Sequence, residues 1–121
     1  MYKTILVATD IEDGRSILKE LEKRQLQITA AFWFHYEDDW KLVVVSPDVS
    51  EKGPRSLYTM ISKLLHGLAK DPQKSLQFPL DRIMLVSPYS LLYKMVKQRI
   101  GASVGPTREG LTSDAYIYKM T

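Results

Sequence analysis

Residues 27–46 read QITAAFWFHYEDDWKLVVVS, and this pattern predicts a β-hairpin whose two strands are apolar on both faces. A strand that borders water on one side alternates apolar and polar side chains, so these strands need cover on both faces. The acidic stretch in the middle predicts a solvated turn. The rest of the chain must therefore supply two covering layers.

The register of the hairpin follows from the position of its turn. If the turn closes between residues 36 and 41, Trp33 lies opposite Val44 and His35 lies opposite Leu42. Phenylalanine and valine side chains then line the other face, because successive residues of a strand point to opposite sides.

Composition predicts one soluble globular domain over residues 1–121, with 45% hydrophobic and 26% charged residues. The absence of cysteine excludes disulfides and thiolate metal sites. No apolar run approaches the roughly 20 residues of a membrane span, and the N-terminus lacks a signal-peptide pattern. We therefore expect a cytoplasmic protein that has no membrane partner.

The remaining elements follow from hydrophobic periodicity. It predicts strands at 4–8, 82–87 and 112–120 and helices at 11–25, 54–69 and 88–100. The element order predicts an α+β fold with a ferredoxin-like split βαββαβ core and an added C-terminal helix and strand. In that core the strands at 4–8 and 41–46 are parallel and central. The alternative is a mixed α/β sheet with helices on both faces.

Two predicted helices begin with cations, which the positive end of the helix dipole disfavours. Lys52 and Arg55 flank the start of the helix at 54–69, and Arg15 lies in the first turn of the first helix. A bound anion would remove this conflict. In the ferredoxin-like arrangement both helices start at one end of the sheet. The candidate anion-binding residues are Arg15, Lys52, Arg55, Thr9 and Ser46.

The aromatic hairpin also predicts a protein interface, because aromatic residues are enriched at binding hot spots. Three helices are few for a sheet that is apolar on both faces, and an uncovered face would favour association of two copies. The candidate interface residues are Trp33, His35, Trp40, Leu42 and Val44.

The charge distribution permits an anionic macromolecular partner. Residues 1–60 carry a net charge of −2 and residues 61–121 carry +5. Basic residues of the C-terminal half that could contact nucleic-acid phosphates are Lys94, Lys97, Arg99 and Arg108.

Motifs for known chemistries are missing from the sequence. It contains no HExxH, no P-loop, no dinucleotide-binding glycine motif and no G-x-S-x-G elbow. We therefore predict no catalytic residue, no metal site and no cofactor. The expected function is a small non-catalytic binding or interaction module that associates with itself or with a protein partner. The alternatives are a regulator or enzyme that binds an anion or nucleotide, and a nucleic-acid-associated protein.

Overall fold

The computed structural model describes residues 6–36, 39–104, 110–111 and 115–120. Its helices are α1 (Ala8–Lys23), α2 (Asp48–Lys52), α3 (Pro54–Lys70) and α4 (Leu91–Val104), with a short 3-10 turn at Leu80–Arg82. Its strands are β1 (Ala30–Tyr36), β2 (Asp39–Val45), β3 (Ile83–Val86), β4 (Gly110–Leu111) and β5 (Ala115–Met120). The chain forms an α+β fold around an open mixed sheet.

The sheet has the strand order β3-β2-β1-β5-β4. The predicted hairpin is confirmed as the antiparallel pair of β1 and β2 at the centre of this order. β3 lies parallel to β2, and β5 lies antiparallel to β1. Because β2 and β3 are parallel, their connection must cross over, and α2 and α3 make that crossover.

The predicted hairpin faces are right, but the predicted register is wrong by two residues. Trp33 lies opposite Leu42 rather than Val44, and His35 lies opposite Trp40 rather than Leu42. Tyr36 pairs with Asp39, whereas the prediction closed the turn between residues 36 and 41. A shift of two residues leaves every side chain on its own face, which explains why the face assignment survives.

The ferredoxin-like strand order is not confirmed. Leu6 and Val7 form no strand, and α1 begins at Ala8, while residues 4 and 5 lie outside the described part of the chain. The carboxylate of Asp10 accepts the backbone N–H of Val7, 3.2 Å away, and α1 starts three residues earlier than the predicted helix at 11–25. β3 is the parallel neighbour of β2, the place expected for the strand at 4–8.

One face of the sheet is covered by α1 and α3. Trp33, Leu42 and Val44 point into this layer and are fully buried. The helices supply aliphatic stripes at helical spacing, which are Ile17, Leu18 and Leu21 from α1 and Leu57, Ile61, Leu64, Leu65 and Leu68 from α3. Burial of one such side chain stabilises the fold by about 1.5–3 kcal/mol.

The second face is covered by α4. Phe32, Phe34, Val43 and Val45 pack there with Tyr93 and Val96 of the helix and Ile117 of β5. Helices therefore lie on both faces of the mixed sheet, as the alternative architecture predicted. The covering layers that the hairpin requires are both provided by the chain itself.

Candidate anion-binding site

An open groove of about 760 Å³ lies where the end of α1, the end of α2 and the start of α3 meet. Its described lining residues are Arg24, Lys52, Gly53, Pro54, Arg55, Ser56, Thr59, Met60 and Lys63. Four of these side chains are cationic and exposed, and they come from three different segments of the chain. No Asp or Glu occurs among the described residues that line the groove.

The four cations lack the ion pairs that surface charges often form. Arg24, Lys52, Arg55 and Lys63 make no salt bridge within the part of the chain that the structure describes. Like charges that share a groove repel one another, and this repulsion is relieved when an anion binds between them. The groove therefore concentrates positive charge from four side chains.

Gly53 brings Lys52 and Arg55 to the same groove. Its φ of 86° is a conformation that residues with a Cβ rarely adopt, and it turns the chain sharply between α2 and α3. Pro54 then occupies the first helical position, where its missing N–H costs no hydrogen bond. No side chain caps the start of α3.

The structure brings together only two of the five predicted anion-binding residues. Lys52 and Arg55 line the groove, whereas Arg15 lies on α1, 3.8 Å from Glu12 and over the ring of Tyr118. Thr9 is exposed in the first turn of α1. Ser46 is fully buried, and its hydroxyl accepts the backbone N–H of Asp48.

This division of the predicted site has a topological cause. The prediction placed α1 and α3 after parallel neighbouring strands, and no strand precedes α1 at residues 6–7. Sequence reasoning also missed Arg24 and Lys63. Lys63 lies eight residues after Arg55 on the same helix side, so helical periodicity could have identified it. Only packing places Arg24, at the end of α1, beside them.

Four of the five predicted interface residues belong to the core of the chain. Trp33, Leu42 and Val44 are fully buried beneath α1 and α3, and Trp40 is buried as well. His35 is half-buried, with its ring 5.2 Å from that of Trp40. Trp33, Trp40, Leu42 and Val44 therefore do not form a free surface for a partner, because the chain's own core covers them.

The predicted nucleic-acid residues lie partly on α4. Lys94 and Lys97 are exposed there, and the Lys97 ammonium lies 5.8 Å from the centre of the Tyr93 ring. The side chain of Arg99 and the whole of Arg108 lie outside the described residues.

The described acids do not gather into a metal centre. Asp10 pairs with Arg82, and the carboxylate of Asp48 accepts the backbone N–H of Gln27. Within the described ranges no three His, Asp or Glu side chains converge as metal ligands would. Glu37 and Asp38 of the acidic turn fall outside those ranges.

Comparison of the chain with protein-family models, with curated proteins and with solved structures finds no match. None of the described helices combines the length and the apolarity needed to span a bilayer.

Proposed function

We propose that the protein is a small non-catalytic binding module that holds an anionic ligand in the groove between α1, α2 and α3. The observation that carries this proposal is the convergence of Arg24, Lys52, Arg55 and Lys63, with no Asp or Glu among the described residues of the lining. Phosphate-bearing ligands suit these side chains, because Arg and Lys donate charge-assisted hydrogen bonds to phosphate oxygens.

The helix adds to this preference for an anion. The first N–H groups of α3 have no side-chain cap, and the helix dipole places partial positive charge at the same end. Cations at this position are disfavoured by about 0.3–1 kcal/mol each, and a bound anion reverses the sign of that interaction.

The side chains of the groove favour binding over catalysis. The described lining offers guanidinium, ammonium and hydroxyl groups and includes no His, Asp or Glu. General acid–base catalysis near neutral pH works best with a group that titrates in that range. The side chains of the groove are suited to hold charge and not to transfer protons.

Calorimetric titration with inorganic phosphate, pyrophosphate and tripolyphosphate tests the proposal. We expect affinity to rise with ligand charge. Replacement of Arg55 or Lys63 by Ala should weaken tripolyphosphate binding about tenfold, the worth of one charge-assisted contact. Lys19→Ala is the matched control, since Lys19 is an exposed cation of α1 outside the groove. Failure of all three anions to bind, or equal losses in the control, would overturn the proposal.

A second candidate function rests on the outer side of α4. Tyr89 just before the helix is 77% exposed, and Leu91 and Met95 within it are 73% and 57% exposed. The inner side of α4 is also apolar, with Tyr93 and Val96 in the core. A helix that is apolar on both sides is typical of one with a partner on each side. This surface supports an interaction module.

The charge around this surface favours an acidic partner protein. Lys94 and Lys97 are exposed beside Leu91 and Met95, and residues 82–108 contain no Asp or Glu. Two copies packed through α4 would bring these lysines together, which like-charge repulsion disfavours. We therefore place protein association on α4 with an acidic partner, rather than on the aromatic sheet face with a second copy.

A synthetic amphipathic helix of Leu and Glu serves as the probe for this candidate. Fluorescence polarisation should detect its binding, and Leu91→Ser with Met95→Ser should abolish it, whereas Arg55→Ala should not. If light scattering shows a dimer of the parent chain and a monomer of the same double variant, the α4 surface binds a second copy and the proposed acidic partner is wrong. If the chain neither binds the synthetic helix nor forms a dimer, this second candidate function is wrong.

A further inference from the structure

Two further grooves continue from the anion site along the exposed side of α3. The first, of about 570 Å³, is lined by Arg55, Tyr58, Thr59, Ser62, Lys63 and Leu80. The next, of about 450 Å³, is lined by Ser62, Lys63, Leu65, His66, Ala69, Gln77, Phe78 and Leu80. The anion site and the 570 Å³ groove share Arg55, Thr59 and Lys63. The 570 Å³ groove and the 450 Å³ groove share Ser62, Lys63 and Leu80. The three form one continuous surface, which we call the α3 track.

The α3 track carries positive charge and hydroxyl groups and no acid among its described residues. Residues 52–70 contain no Asp or Glu at all, although acids make up 14 of the 121 residues of the chain. Ser56, Thr59 and Ser62 are exposed between the cations, and His66 follows them. Lysine, arginine and hydroxyl side chains are the groups that most often contact phosphate and sugar oxygens of nucleic acids.

The length of the track distinguishes a polymer from a small anion. α3 has 17 residues, which at about 1.5 Å per residue gives a length of about 25 Å. A single phosphate group would occupy only the first groove. A chain with regularly spaced negative charges could contact Lys52, Arg55 and Lys63 in turn and continue towards His66.

We infer that the α3 track binds the backbone of a single-stranded nucleic acid. This inference rests on the proposed anion site and names its partner. A groove with a second wall, here formed by Gln77, Phe78 and Leu80, suits one flexible strand. Proteins that bind single strands without sequence preference combine a positively charged groove along the backbone with surfaces on which bases stack, and each OB-fold domain among them holds about 4–16 nucleotides. The exposed ring of His66 offers a base one stacking surface.

Fluorescence anisotropy with labelled oligothymidylates of 2, 4, 8 and 16 nucleotides tests the inference. Affinity should rise at least about tenfold from dT2 to dT8 and then level off, because the track is then filled. The logarithm of the binding constant should fall with the logarithm of salt concentration with a slope of about −3. Four neutralised phosphates would each contribute about −0.7 to that slope.

A variant of the far end of the track separates this inference from the proposed function. His66→Glu with Gln77→Glu changes the third groove and leaves the first groove untouched. It should weaken dT8 binding about tenfold and leave tripolyphosphate binding unchanged. Lys19→Gln with Lys23→Gln is the control, since it changes the net charge by the same amount at exposed positions outside the three grooves.

Each other result has a defined meaning. If tripolyphosphate binds but oligonucleotide affinity does not depend on length, the polymer inference is overturned and the proposed function stands. If neither binds, both are overturned. If a polyglutamate peptide of equal charge competes as well as dT8, the track binds anionic chains generally and the assignment to nucleic acid is wrong.

Discussion

Arg82 and Asp10 form an ion pair that joins residues 72 positions apart in the chain, with Nη1 and Oδ1 separated by 3.2 Å. Their side chains are only 15% and 5% exposed. The guanidinium also lies over the ring of Trp33, 4.7 Å from its centre, and over that of Phe78 at 5.2 Å. This ion pair links the start of α1 to the 3-10 turn that precedes β3.

Replacement of Arg82 by Met should strongly destabilise the fold. Met keeps an apolar side chain against Trp33, but it removes the guanidinium that pairs with the buried carboxylate of Asp10. Breaking a buried pair in this way costs about 3–5 kcal/mol. The free energy of unfolding, measured with urea, should show the loss. The double variant Asp10→Asn with Arg82→Met should recover part of it, and equal stabilities of the single and double variants would contradict this explanation.

Gly14 should not tolerate a methyl group. A Cβ at this position would lie 2.5 Å from the Tyr118 hydroxyl and 2.9 Å from Nε1 of Trp33. These two atoms share a hydrogen bond of 2.8 Å, in which the indole donates. Gly14→Ala must displace at least one of these side chains, and we expect thermal and urea unfolding to show a loss of about 1–3 kcal/mol.

Gly67 provides the matched control for this substitution, because it is also inside a helix but has open space where its Cβ would be. Gly67→Ala should raise stability by up to about 1 kcal/mol through helix propensity alone. Equal effects of the two substitutions would show that the contact with Trp33 and Tyr118 is unimportant.

Stability should decline in alkaline solution partly through Tyr93. Burial raises the pKa of the Tyr93 hydroxyl above its ordinary value of 10.0. The folded state therefore holds this proton more tightly than the unfolded state does. The resulting stabilisation is complete below pH 10 and is lost as the pH rises through the folded-state pKa.

Melting temperatures measured from about pH 8 to pH 11 should fall less steeply for Tyr93→Phe than for the parent chain. Tyr89→Phe is the control, since Tyr89 is 77% exposed and should keep the parent slope. If the melting temperature of Tyr93→Phe falls with pH as steeply as that of the parent chain, Tyr93 is not a source of the alkaline sensitivity.

Tyr58 should protect the outer edge of β3. Its hydroxyl accepts the backbone N–H of Leu85 at 2.9 Å. β3 is the last strand on its side of the sheet, and free N–H groups on edge strands invite pairing with other chains. Tyr58→Phe should cost about 1 kcal/mol and increase aggregation on heating, as followed by light scattering. Unchanged aggregation relative to Tyr89→Phe would refute the protective role.

Several features followed from local sequence pattern. Two apolar runs on either side of an acidic stretch were enough to predict the hairpin. Their side chains could be sorted onto two faces because successive residues of a strand point to opposite sides. The stripe from Leu57 to Leu68 was enough to predict α3, since helical spacing is equally local. Lys52 and Arg55 were identified because their charges oppose the helix dipole at one helix start.

Tertiary packing decided the rest. The parallel neighbour of β2 is β3 rather than a strand at 4–8, and this choice sends α1 and α3 to one face and α4 to the other. It buries four of the five predicted interface residues, separates Arg15 from Arg55 and brings Arg24 beside Lys63. Such contacts join distant parts of the chain, and their energies depend on which apolar faces meet. Local periodicity does not depend on which strand pairs with β2. The hairpin could therefore be predicted from its own residues, whereas the groove could not.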